Sequence, residues 1–460
     1  MNFARKLPIL ICFFSTFSMI FPGWNEQVRE YADTYSTPYK DGYLASLAAT
    51  CKMKKISYDD MLVPVEKWKI FSQKMEKGFI NVDVGLQVDP DHRVIKAPLA
   101  IYIPGSFVNL NEKQSNRWMD SLTRLGYHTA VFPNPFSLDF LKQIPLTRFG
   151  TLTDEAQILY EAIRNLHDLL RRRQVLNGSV RLIGVSSGGF FSSVITALDA
   201  EHPNPVITTD TTIMAPGFHM GRGMDRLDHL VDTHRNPYQE MSLVRMLIKL
   251  RRICRLEDPS NPPQQILEDG RGLVTFAGFY EELVDSVTRY DEIHSFGKVP
   301  GGGKALRRWR DQFKFSAYYD QFNPSGKKLI YSEAGHLYHW IARAYKAGFP
   351  SVRILTTTDD FFNDPGVWGS MEENPLTKDL DHRYGLMQDP ALWERIQQDL
   401  IVLEDGGHYG FRTNPWFEGF IQAAFSTSGF NIKKWSQFNE LFKEPEKDQI
   451  QTESLIHPLR

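Results

Sequence analysis

Arg181-Leu182-Ile183-Gly184-Val185-Ser186-Ser187-Gly188-Gly189 is the stretch that decides the fold. An apolar, β-favouring run from Val180 to Val185 meets Gly-x-Ser-x-Gly, and a helix-like segment from Phe190 to Ala200 follows at once. Strand, sharp turn and helix in that order form a nucleophile elbow, which lifts a serine hydroxyl above the edge of a sheet. The glycines have a steric purpose. A Cβ at Gly184 or Gly188 would strike backbone where strand and helix converge. An ordinary glycine-rich connection would fit the same residues, but it predicts no matching acid or histidine further along.

Outward from the elbow, short β-rich runs alternate with helical patterns. Strands are expected at Phe79 to Val88, Pro98 to Ile103, His128 to Phe132, Val206 to Met214, Val352 to Thr358 and Leu400 to Leu403, with a helix at Lys113 to Leu125. Near-continuous apolar strands between helices predict an α/β fold, a mostly parallel central sheet flanked by helices. The long segment between Pro216 and Val352 is not a loop. Its helical patterns at Met241 to Cys254 and Ala334 to Lys346 predict a helical lid on the carboxyl edge of the sheet, where open α/β folds bind ligands. The expected layout is a signal at 1–23, a helical extension packed outside the core at 24–78, core at 79–220, lid at 221–350, core at 351–431 and a tail at 432–460.

A serine needs a base, and the base needs an acid to fix its tautomer. In folds with this elbow the chain order is Ser, then Asp or Glu, then His. The Val352 strand runs into Asp359-Asp360, and the Leu400 strand runs into Gly406-Gly407-His408. Ser186, Asp360 and His408 are therefore the expected triad, with Asp359 as the alternative acid. The oxyanion donors are expected to be the backbone N–H groups of Ser187 and of Ser106, in the loop Pro104-Gly105-Ser106-Phe107.

Other features are weaker. Glu333, His336 and His339 can share a helix face, but no second cluster completes a metal site. Gly301-Gly302-Gly303-Lys304 lacks the first glycine and the Ser/Thr of a phosphate loop. Arg307-Arg308-Trp309-Arg310 reads as a solvated face, and His219 precedes the acid, which argues against its being the base.

With elbow, acid and base in hand, the chain resembles the α/β-hydrolase superfamily, and within it the esterase branch that includes the bacterial YheT-type hydrolases. Gly184 to Gly189 is similar to that branch's Gly-x-Ser-Leu-Gly-Gly, Asp359-Asp360-Phe361 to its Asp-Asp-Pro-Phe, and Gly406 to Phe411 to its Gly-Gly-His-x-Gly-Phe. Thr275-Phe276, Tyr290-Asp291 and Tyr318-Tyr319 resemble its lid landmarks. The likeness spans Pro98 to Phe417 and implies that the second Asp, Asp360, is the triad acid. Ser187, Phe361 and Pro104 depart from it, standing where the branch has Leu, Pro and His; only the backbone of Ser187 is expected to matter.

These residues predict a serine hydrolase of carboxylic esters, without a cofactor, acting on a small-molecule or lipid-like acyl ester. A thioesterase, peptidase or acyltransferase would use the same triad, and a binding protein that no longer turns over is the rival from another class. The net charge of -2 gives no case for nucleic acid as a partner. Arg5 and Lys6 before the uncharged Leu7 to Phe21 stretch predict export as a secreted or periplasmic protein. Left uncleaved, the same segment is the expected route to a membrane. Cys51 and Cys254 can form one disulfide in an oxidising compartment or remain buried thiols; the sequence leaves both open.

Overall fold

The computed structural model describes residues 23–53, 55–143, 145–146, 149–238, 243–274, 314–364, 367–368, 389–413 and 415–426. Expectations for the signal, for Thr275-Phe276 and Tyr290-Asp291, for the glycine run at 301–303 and the basic run at 307–310, and for the tail at 432–460 lie outside the described residues.

Among the described residues eight strands form one sheet: β1 Val65–Phe71, β2 Phe79–Gly85, β3 Ala97–Ile103, β4 His128–Val131, β5 Leu176–Val185, β6 Thr211–Met214, β7 Val352–Thr357 and β8 Leu400–Leu403. Their order is β1-β2-β4-β3-β5-β6-β7-β8. β2 alone runs against the direction of the other seven, so the sheet has the mostly parallel α/β-hydrolase architecture. Alternation along the central strands fills two cores. Leu99, Ile101, Ile103, Val180 and Leu182 face one, with α5 (Leu152–Arg172) and α6 (Ser187–Ala200). Ala100, Tyr102, Ile183 and Val185 face the other, with Trp118 of α3 (Lys113–Arg124) and Phe417 of the helix Pro415–Phe425. Burial on both faces explains why these strands read as continuous apolar runs.

The 24–78 segment differs from the expectation. It holds α1 (Glu26–Ala32) and α2 (Gly42–Lys52), but also β1, the edge strand of the sheet. Its exposed outer residues and the short alternation of Val65-Glu66-Lys67-Trp68 hide a strand whose pairing comes only from β2. Nor does the segment lie outside the core. Leu44 is fully buried, the Trp24 indole donates to the Ile354 carbonyl, and Tyr31 stacks on Trp416. The β6 strand is also shorter than expected. The Asp199 carboxylate accepts the Val206 and Ile207 N–H groups, which holds that stretch out of the ladder.

Helices α7 (Met220–Tyr238), α8 (Leu243–Cys254) and α9 (Gln264–Leu273) occupy the insertion after β6. The helix Leu337–Lys346, expected in the lid, instead packs on α6 as the crossover into β7. His336 caps it by accepting the Tyr338 N–H. Among the described residues no group of His, Cys, Asp and Glu is arranged to hold a metal. Cys51 of α2 and Cys254 of α8 form a disulfide across 203 residues. Closing a loop of that length is worth about 5 kcal/mol if the effect is entropic.

Glu155 of α5 is buried with one carboxyl oxygen accepting the Gly150 N–H, and burial raises its pKa from 4.5 to about 8. Between those two values the folded chain keeps a proton that the unfolded chain has lost. Stability is therefore greatest below the lower value and declines until pH passes the upper one, by on the order of 5 kcal/mol. Glu155→Gln should flatten that decline. Urea unfolding at pH 5 and pH 8 checks it, and an equal decline in the variant would refute it.

Candidate active site

Ser186 follows β5 with φ 55 and ψ -125, a left-handed conformation that a serine adopts only when its surroundings impose it. The surroundings are the two glycines. A Cβ on Gly184 would stand 2.3 Å from the Gly188 carbonyl oxygen, and one on Gly188 would stand 2.2 Å from that of Pro104. The elbow closes only without those atoms.

β3, β5, β7 and β8 all end at the same edge of the sheet, and the turns beyond them meet. His408 Nε2 lies 2.8 Å from Ser186 Oγ. Its Nδ1 lies 3.0 Å from each oxygen of Asp360. Asp360 is buried and also accepts the Phe362 N–H at 2.9 Å. The rings of Phe361 and Phe362 flank His408 at 5.6 and 5.5 Å between centroids. With Nδ1–H donated to Asp360, Nε2 is left basic toward the serine hydroxyl. The arrangement can take a proton from Oγ.

Asp359, the alternative acid, does something else. Its carboxylate accepts the N–H groups of Gly406 and Gly407, at 3.2 and 2.7 Å, and Thr357 Oγ1 donates to the Gly407 carbonyl at 2.9 Å. Burial raises the pKa of this carboxyl. Asp359 thus braces the turn that presents His408, while Asp360 touches the imidazole.

The expected oxyanion donors are brought together. Ser187 opens α6, so its N–H has no acceptor within the helix. Gly105 approaches until a Cβ on it would sit 3.3 Å from Ser186 Cβ. Ser106 Oγ donates to Ser187 Oγ at 2.7 Å. The side chain of Ser187 is therefore engaged, against the expectation that only its backbone matters. Buried Asn134, beyond β4, completes the brace by donating to Ser187 Oγ at 3.0 Å and to the Pro104 carbonyl at 2.7 Å. No sequence signal marks Asn134, which sits in the Pro133-Asn134-Pro135 turn just past the expected strand His128 to Phe132.

Beside Ser186 and His408 opens a cleft of about 210 Å³. Ser46, Leu47 and Thr50 of α2 form one wall of it, and Arg412 lines it. Gly42 meets the histidine turn so closely that a Cβ on Gly407 would lie 1.9 Å from the Gly42 carbonyl oxygen. His219 forms a β-bridge with His336 and is not among the residues that line the cleft.

No family model matches the chain, and no curated protein matches it. Among solved structures it is similar to carboxyl esterase 2 of the mycorrhizal fungus Tuber melanosporum, with 12% identity, 87% of this chain and 97% of that one covered, and a TM-score of 0.42. A brefeldin A esterase, a bacterial homologue of human hormone-sensitive lipase, has 13% identity, 87% and 91% coverage and a TM-score of 0.41. An esterase of the hyperthermophilic archaeon Pyrobaculum calidifontis has 13% identity, 87% and 93% coverage and a TM-score of 0.38.

Proposed function

We propose that this protein is a serine hydrolase that cleaves carboxylic esters, as the esterase branch it resembles does. The observation that carries the reading is the continuous path from Ser186 Oγ through His408 to Asp360, with contacts of 2.8 and 3.0 Å. Ser186 Oγ attacks the ester carbonyl as His408 takes its proton. The negative charge that develops on the carbonyl oxygen is met by the N–H groups of Ser187 and Ser106. His408 then gives its proton to the departing alkoxide, leaving an acyl group on Ser186. A water, deprotonated by the same imidazole, releases the acid and restores the serine. Asp360 holds the tautomer throughout and stabilises the imidazolium. No step calls for a cofactor.

The reading is tested by incubating the protein with a fluorophosphonate probe and with p-nitrophenyl esters of increasing chain length. Labelling at Ser186 with ester turnover is expected. A protein that binds acyl compounds without hydrolysing them would show neither, and that result would overturn the proposal.

We also propose that the chain is exported. The Cys51–Cys254 disulfide supports this, because such bonds persist in oxidising compartments. Intact-mass analysis of protein from the native host should find a start between about Met19 and Glu26 and both remaining cysteines oxidised. A full-length chain confined to the membrane fraction would favour an anchor, and one in the cytoplasm would refute export. Among the described residues no helix is long and apolar enough to cross a membrane.

A further inference from the structure

Arg412 lies four residues beyond His408, in the short 3-10 turn Gly410–Thr413, and shares the cleft with Ser186. Among the described residues its guanidinium has one polar partner: Nη2 donates to Thr50 Oγ1 at 2.9 Å. Below it the Tyr409 ring lies 5.2 Å from the guanidinium carbon. Its Nε is buried without an acceptor among the described residues. Several arginines of the fold are matched by carboxylates, as Arg117 is by Glu418, Arg181 by Asp210 and Arg343 by Glu201, while Arg395 donates to the Phe349 and Pro350 carbonyls. Among the described residues Arg412 forms no ion pair. Arg412 is half-buried, and a cation partly removed from water without a counter-charge is costly. Burial accordingly lowers its pKa, and the nearby Tyr409 and Tyr102 oppose that only in part. The planar fork keeps most of its N–H groups, the arrangement that grips a carboxylate or phosphate from two sides.

We infer that Arg412 is a specificity-determining residue that binds an anionic group of the substrate, so that the ester cleaved carries a negative charge a few bonds from its carbonyl. The inference rests on the reading of Ser186 as the nucleophile. It also narrows the expected lipid-like substrate. Leu47, Val108 and Phe361 give the cleft apolar contact for a short chain, and Arg412 fixes the charged end. Thr50 holds the guanidinium in place, and the adjacent Cys51 ties that wall to α8.

The test compares ester pairs that differ only in charge: mono-p-nitrophenyl glutarate against p-nitrophenyl valerate for the acyl side, and 4-butyryloxybenzoate against phenyl butyrate for the alcohol side. Wild-type protein should prefer the anionic member of at least one pair by roughly tenfold or more in kcat/KM. Arg412→Gln should reduce that preference roughly 10- to 100-fold, through KM, as the loss of a charge-assisted pair implies. Arg412→Lys should restore part of it, as a point charge without the fork. If the glutamine variant does not fold, the wild-type preference and its decline with added salt still decide the matter. No preference in either pair, or an equal fall of kcat for neutral and anionic esters in the variant, would overturn the inference while leaving the triad intact. Failure of all four esters together with absent fluorophosphonate labelling would remove the hydrolase reading itself.

Discussion

Ser186→Ala is expected to lower kcat on acyl esters by on the order of 10⁶-fold, the scale seen when a triad serine is removed and its partners are left without a nucleophile. Labelling by a fluorophosphonate should vanish with it. The fold should not suffer, because alanine keeps the Cβ that already occupies the φ 55 conformation, and only an oxygen bonded to His408 is lost. Activity on p-nitrophenyl esters should be measured beside thermal unfolding. Turnover within tenfold of wild type in a folded variant would remove Ser186 from the mechanism.

Asp360→Asn should cost on the order of 10⁴ in turnover. An amide in place of the carboxylate can donate to His408 Nδ1 and so favours the tautomer with its proton on Nε2, the wrong nitrogen. Asp359→Asn should behave differently. It weakens the acceptance of the Gly406 and Gly407 N–H groups, so the expected loss is about 1 kcal/mol of stability and a modest fall in rate from a looser histidine turn. Paired kinetics and unfolding curves separate the two. A kinetic collapse in the Asp359 variant with a mild effect at Asp360 would transfer the acid role.

The elbow was legible because everything it needs is local: a strand, two glycines, a helix, and a steric reason linking them. Choosing between adjacent aspartates needed the family likeness as well, since two neighbouring carboxylates after one strand look alike in sequence. What stayed hidden depends on long-range contact. The edge strand β1 is a short alternating run whose partner defines it. Asn134 and the Ser187 hydroxyl brace the oxyanion loop through bonds across 53 and 81 residues. Arg412 reads as one basic residue among many until Thr50, 362 positions earlier, is found beside it. The disulfide could not be chosen over two free thiols without knowing that α2 and α8 touch.

That α2 walls the cleft also sets a timetable for the molecule's birth. Thr50 is made 362 positions before Arg412, which lies in the turn that α2 locks against. Until it arrives, α2 can dock only on α8 and α9, and the imidazole that sits beside Ser186 does not exist. Joining partners so distant in the chain is a slow, late step by the usual dependence of folding rate on sequence separation. A nascent chain therefore carries a fully written elbow but no working site. The proposed acyl transfer would begin only when α2 meets the turn after β8, so a partly made chain would be unable to attack esters in the cell that is making it.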